Sequence, residues 1–252
     1  HPGGSGGDEV ALQVNETGFG LTLRPLKRGK RHAWVKADAS WDDVREHPAS
    51  FAPGQREVLL GFIQARARSG YAYGYRPDAL PLDELPPDLW ELLTLAQERG
   101  IPLLSGTDAR RQTLPPIMTP GAFGPTVIVR HSADGLDVTP TVVGPDGVAL
   151  APPRSAFLGH PAHGLALRLD DRLLLGPLTT PLGDTEHDLF VRSGPIAVPQ
   201  AEAGLFAQAY LPELRRRFSV SVADDLNMPE ASPPTLICRV DVGRRHATVG
   251  WG

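Results

Sequence analysis

From Leu114 onward no apolar run lasts long. "TVIVRHS", "LDVTPTVVG", "GVALA", "SAFLG", "LALRL" and "RLLLGPL" follow one another, and "ADG", "PDG" and "LDDR" stand between them. Short β-like runs parted by turn residues read as hairpins. A chain patterned this way cannot form a helical bundle. It has to bury its apolar residues in short, mostly antiparallel strands. The 27 glycines and 26 prolines among 252 residues fit many turns and remain below the level of a low-complexity chain.

The first half mixes periods. "VALQV", "FGLTLRPL" and "HAWVKAD" read as a three-stranded meander over residues 10–38. Ser40 is placed to cap a short helix through "WDDVREH", with Asp42 and Asp43 favourable in its first turn. Pro53 opens a longer helix whose Val58, Leu59, Phe62 and Ile63 share one face, and Gly70 stops it. "LPPDLWELLTLAQERG" predicts a third helix with Leu89, Leu92, Leu93 and Ala96 inward and Gly100 as its stop. "IPLL" reads as a buried strand.

Late in the chain, one or two helical turns are expected at Thr185–Arg192, and "PIAVP" reads as a short strand. A long helix is expected over "QAEAGLFAQAYLPELRRRF", with Leu205, Phe206, Ala209 and Leu214 inward and Pro212 kinking or restarting it. "TLICRVDV" and "HATVGW" form a last hairpin. The fold class expected is α+β, with mixed, mostly antiparallel short strands and hairpins and about four helices packed on them. Residues 1–8 read as a cloning scar or linker, so the chain is expected to be a piece of something longer. Residues 9–113 read as a lobe of meander plus helices, and residues 114–252 as a β-rich lobe with one long helix. The two lobes are open to being one continuous domain.

Charge and composition narrow the function. The net charge of −4 argues against a wholly basic nucleic-acid binder but leaves room for a local basic patch. Cys238 is the single cysteine, so no internal disulfide framework exists, and a reducing cytoplasm is the expected location. No apolar run approaches the ~18–20 residues that span a bilayer, and no membrane partner is expected.

The chemical motifs are few. No G-x-x-x-x-G-K-[ST] loop occurs, nor H-E-x-x-H, nor C-x-x-C. "GHPAHG" places His160 and His163 three apart between Gly159 and Gly164. A zinc site needs a third ligand and usually a fourth, and the bracketing glycines read instead as a turn between strands. The acid pairs Asp42/Asp43, Asp83/Glu84, Asp170/Asp171 and Asp224/Asp225 sit at helix starts or turns, where carboxylates cap backbone. No catalytic residue, cofactor site or metal site is assigned. The basic clusters are the candidate nucleic-acid contacts: Arg24, Lys27, Arg28, Lys30 and Arg31 around one hairpin, and Arg215, Arg216 and Arg217 at a helix end. The same residues also suit solvated hairpin tips and a helix C-terminus.

"LRPLKRGKRHAWVKADASWDDV", "LLTLAQERGIPLL", "FLGHPAHGLAL", "LLLGPLTTPL", "GPIAVPQAEAGLFAQAYLPELRRRF" and "LICRVDVGRRHATVGW" occur in an order that resembles one family. It is the region ahead of the motor in bacterial Swi/Snf-type, superfamily-two DNA-dependent ATPases of the DEAD/DEAH-box helicase kind. The resemblance implies an accessory module without ATP-binding residues of its own. ATP and magnesium are then expected for the motor of the parent chain. The partners implied are those motor lobes and, as a candidate, duplex DNA held through its phosphates. Three readings follow: a helicase-associated accessory module that positions DNA or restrains the motor, a protein-interaction module without nucleic-acid contact, and a metal-dependent hydrolase using His160 and His163.

Overall fold

The computed structural model describes residues 9–17, 20–29, 34–35, 39–69, 79–106, 115–150, 156–169, 172–192, 194–223, 238–242 and 247–251. The fold is α+β. The first sheet has the order β3-β2-β1-β5: β1 (Val10–Thr17), β2 (Gly20–Arg28), β3 (Trp34–Val35) and β5 (Leu103–Gly106), with β4 (Leu80–Pro81) also paired to β2. The antiparallel meander of β1, β2 and β3 is as the sequence pattern reads, although β3 keeps only two residues. β5 joins β1 in parallel, so β1 becomes an interior strand. Its residues Val10 to Val14 are all buried. Val10, Leu12 and Val14 face the main core, while Ala11 packs on the other side with Leu26 and Leu104.

Three helices cover that sheet. α1 (Trp41–Glu46) starts on a capping box: the Asp43 N–H donates to Ser40 Oγ at 3.1 Å, and the Ser40 N–H donates to the Asp43 carboxylate at 2.8 Å. Hydrogen bonds from Ser40 hold the Asp43 carboxyl below its ordinary pKa. Trp41 locks α1 onto β2 by donating its indole N–H to the Leu23 carbonyl at 2.9 Å. α2 (Pro53–Arg68) buries Val58, Leu59 and Phe62, as its apolar spacing requires, and leaves Ile63 partly covered. α3 (Leu89–Glu98) buries Leu89, Leu93 and Ala96, and Gly100 follows it with φ +73°. The expected stop at Gly70 lies outside the described residues.

The second half supplies the hairpins. β6 (Gly124–Ser132) and β7 (Gly135–Val143) pair along their whole length, and β8 (Ala149–Leu150), β12 (Ile196–Pro199) and β13 (Ser219–Val222) complete that sheet in the order β12-β7-β6-β13, with β8 on β7. A separate three-stranded sheet holds β9 (Phe157–Leu158), β10 (Ala162–Leu169) and β11 (Arg172–Leu182). β14 (Cys238–Val242) and β15 (Ala247–Trp251) form the last hairpin.

The three-stranded sheet is a shared wall. Leu158, Ala166, Leu173 and Leu175 belong to the core of the first sheet. Phe157, Leu165, Leu178 and Leu182 belong to the core under β6 and β7. Adjacent residues such as Phe157 and Leu158, or Leu165 and Ala166, enter different cores because successive strand side chains point to opposite faces. Hydrophobic packing thus runs through the sequence division at 113/114 rather than stopping there.

The long helix expected over residues 200–218 is segmented. α4 (Asp184–Phe190) precedes β12. After it come a short α5 (Ala203–Leu205), a wider π turn over Phe206–Tyr210 and α6 (Leu211–Arg217). Pro212 sits in the first turn of α6, so the chain restarts there. Proline has no N–H for a carbonyl four residues back and crowds it; the widened turn relieves both problems. The inward residues are Phe206, Leu211 and Phe218. Two sequence expectations fail here: Leu205 and Ala209 lie outward, Leu205 at 59% exposure. The π turn closes over five residues, so the next buried position after Phe206 is Leu211, five residues on, and not the expected Ala209.

No helix among the described residues is long and apolar enough to cross a membrane.

Candidate functional site

"GHPAHG" forms the turn from β9 into β10, where it meets α3. His163 is buried, at 5% exposure. Its Nδ1 lies 3.0 Å from Trp90 Nε1 and its Nε2 lies 2.9 Å from the Leu85 carbonyl oxygen. An indole N–H only donates and a carbonyl only accepts. The proton is therefore on Nε2, Nδ1 accepts from Trp90, and the ring is neutral. Burial lowers the His163 pKa below 6.5. The Trp90 N–H also reaches the His163 carbonyl at 3.1 Å.

Both glycines of the motif are required by close approach. A Cβ on Gly164 would fall 1.8 Å from the Trp90 ring, and one on Gly159 would fall 2.3 Å from the His163 ring. Gly159 also has φ +88°, a left-handed conformation that favours glycine. Its N–H donates to Asp83, whose carboxyl is pushed up by burial despite that bond and the nearby imidazoles of His160 and His163. The segment carrying Asp83 is held to α2 by Arg66–Glu84 at 3.5 Å and by the Arg68–Asp88 ion pair. Both nitrogens of His163 are thus committed to this seam, while His160 is exposed. Among the described residues no three His, Cys, Asp or Glu side chains are grouped to hold a metal.

The basic residues are divided between a strand and a helix. Arg24, Lys27 and Arg28 lie on β2. Lys27 sits 5.0 Å from the centre of the Phe51 ring, and Arg28 stacks 5.9 Å from Trp34 while pairing with Glu9. Lys30 and Arg31 lie outside the described residues. Arg215, Arg216 and Arg217 end α6. Arg216 pairs with Glu213 at 2.9 Å, and Arg217 pairs with Glu186 on α4.

A concavity lies next to these arginines. Its volume is about 880 Å³. The floor is one face of the β6–β7–β12 sheet, carrying Val127, Val138, Ile196 and Val198. One wall is α4, with Leu189. The other runs along the α5–π–α6 segment, with Leu205, Phe206, Tyr210 and Leu214. Leu205 and Tyr210 are each 59% exposed at its edge. Such a concave, mostly apolar site has the size and lining of a binding pocket. Sequence reading missed it. The only signal was Pro212, which foretells a break in the helix but not the turn that moves Leu205 and Tyr210 outward.

Comparison of the chain with protein-family models, with curated proteins and with solved structures finds no match.

Proposed function

We propose that this chain works by docking rather than by chemistry, as a non-catalytic accessory module that restrains or positions the motor of a Swi/Snf-type DNA-dependent ATPase in the bacterial cytoplasm. The ordered segments from "LRPLKRGKRHAWVKADASWDDV" to "LICRVDVGRRHATVGW" support the parent. The observation that carries the docking role is the apolar groove, whose rim exposes Leu205 and Tyr210. Exposed aromatic side chains such as Tyr210 are enriched as anchors at protein interfaces. ATP and magnesium belong, in this reading, to the motor lobes of the same parent chain.

The test has two steps. The gene read beyond Gly252 is expected to encode a P-loop followed by an acidic DEAH-type motif. The isolated chain, added in trans to those lobes, is expected to change DNA-stimulated ATP turnover by about fivefold or more. A downstream sequence without either motif, or turnover unchanged at saturating chain, overturns the reading.

A second reading is direct contact with duplex DNA through phosphates, and the arginines on β2 and α6 favour it. Glu9, Glu213 and Glu186 weigh against it, because they already neutralise Arg28, Arg216 and Arg217. Each phosphate contact would have to displace a carboxylate. Titrating labelled duplex at several salt concentrations discriminates the two. Phosphate contact predicts a salt slope of about one unit for each phosphate neutralised, and docking predicts none.

A further inference from the structure

We infer that β13 is a docking edge for a second copy of this chain, the two copies pairing their β13 strands antiparallel about a two-fold axis at Ser221. This pairing is separate from the motor-docking role and does not depend on it.

β13 ends the sheet β12-β7-β6-β13 and runs parallel to β6. The Ala223 N–H donates to the Val129 carbonyl at 3.1 Å. Alternate residues of a strand turn their main-chain groups the same way, so Ser219 and Ser221 also face β6. Val220 and Val222 turn their N–H and C=O groups away from it. Among the described residues no strand pairs with that outer side. An edge of this kind is a template for another strand unless a charge, a proline or a bulge blunts it. β13 carries neither charge nor proline, and its register with β6 is unbroken. The strand at the other end of the sheet, β12, carries Pro199, which has no N–H to offer.

The side chains select the occupant. Val220 and Val222 lie beside Val127 and Val129 on the core face and are only half-buried. Ser219 and Ser221 are exposed on the opposite face. A strand that fits must alternate in the same way, apolar over the core and small and polar outside. β13 itself meets that requirement. With the axis at Ser221, Val220 of one copy lies opposite Val222 of the second, and each exchanges an N–H and a C=O with its counterpart. Valine then meets valine on the core face, and Ser221 meets its own symmetry mate on the exposed face. Such a two-fold contact is self-complementary. No charged side chain lies within the strand, so the paired strands set no like charges opposite each other.

A single short strand makes a small contact, so the dimer is expected to be weak, with a Kd on the order of 100 µM. Sedimentation equilibrium of the whole chain from ~10 µM to ~1 mM should show the mass rising from 27.0 kDa toward twice that value. Hydrogen exchange followed by NMR should find the Val220 and Val222 amides fast in dilute protein and slowed about fivefold in concentrated protein. The Ala223 amide, bonded to Val129, should be protected throughout. Ser221→Lys sets two ammonium groups opposite each other and is expected to weaken the dimer about fivefold at low salt, with recovery as salt screens them. In a Cys238→Ser background, Ser221→Cys should cross-link two chains on oxidation, because the pair on the axis brings its Cα atoms to about 4.5 Å. Ser219→Cys should not, since it lies ~13 Å from its mate. Far-ultraviolet circular dichroism establishes that the variants fold. A single mass at every concentration, a dimer indifferent to Ser221→Lys, or equal cross-linking through positions 219 and 221 would overturn the inference. So would Val220 and Val222 amides already protected in dilute protein, because the chain would then cover this edge itself.

Discussion

At the seam, Trp90 lies against Gly164 with no room for a methyl group, and His163 spends both ring nitrogens on Trp90 and Leu85. At the groove, α4 and the α5–π–α6 segment flank an apolar sheet face, joined by the Glu186–Arg217 pair, and Leu205 and Tyr210 project into solvent. The two places hold the same kinds of group, aromatic rings, aliphatic side chains and carboxylates. What differs is how much of each is satisfied within the chain. The contrast teaches where in this fold side chains are left unsatisfied. The histidine motif that catches the eye in the sequence is consumed by packing, and the plain helical stretch after Gln200 is not.

The comparison breaks most readily at Gly164. Gly164→Ala is expected to lower stability by about 3 kcal/mol, since the new methyl group must displace a half-buried indole. Urea denaturation measures it, and a loss below about 1 kcal/mol would mean that the seam is looser than described.

His163→Ala comes next, with an expected loss of about 2 kcal/mol, because the Leu85 carbonyl loses its partner and the Trp90 N–H keeps only the main-chain carbonyl of residue 163. The pH dependence has a definite sign. The folded pKa of His163 lies below the unfolded value of 6.5, so the unfolded chain binds more protons in that interval. The stabilisation is fully present above pH 6.5 and is lost as pH falls toward the folded pKa. Thermal midpoints taken from pH 8 down to pH 5 should therefore drop more steeply in the wild type than in His163→Ala.

Asp83→Asn runs the other way and is smaller. Burial raises the folded pKa of Asp83 above 3.8, so ionisation removes stability as pH rises through the folded value. Asparagine keeps an oxygen for the Gly159 N–H and removes the buried charge. The midpoint at pH 7 is expected to rise slightly, by no more than about 0.5 kcal/mol equivalent. A fall would mean that the charged carboxylate itself holds the turn.

The smallest effect on stability belongs to the groove. Leu205→Ser with Tyr210→Ser should move the unfolding midpoint by no more than about 0.5 kcal/mol, as for other exposed positions. A large loss would place these side chains inside the core and remove the contrast with the seam.

Local signals were the legible ones. Ser40 and Asp43 are three residues apart, so the start of α1 can be read from the sequence. "ADG" and "PDG" close their own hairpins, and the stripes of α2 and α3 repeat within one or two turns. Trp90 and His163 are 73 residues apart, and no periodicity links them. Their contact exists only because β10 packs against α3, a tertiary fact. The π turn defeated the pattern for a different reason. A fixed period of 3.6 put Ala209 inward, and a turn closed over five residues brought Leu211 beneath Phe206 instead. For the groove, apolar residues on a strand such as Ile196 and Val198 read as core, and only the tertiary structure leaves them half-buried.

The shared sheet has a thermal meaning. Leu158 and Phe157, or Ala166 and Leu165, are peptide neighbours that anchor different cores. Neither core can lose its packing without stripping one face of β9–β11, and a three-stranded sheet bare on one face exposes leucines to water. The two halves are therefore expected to melt as a single calorimetric unit, even though the sequence pattern changes near residue 113.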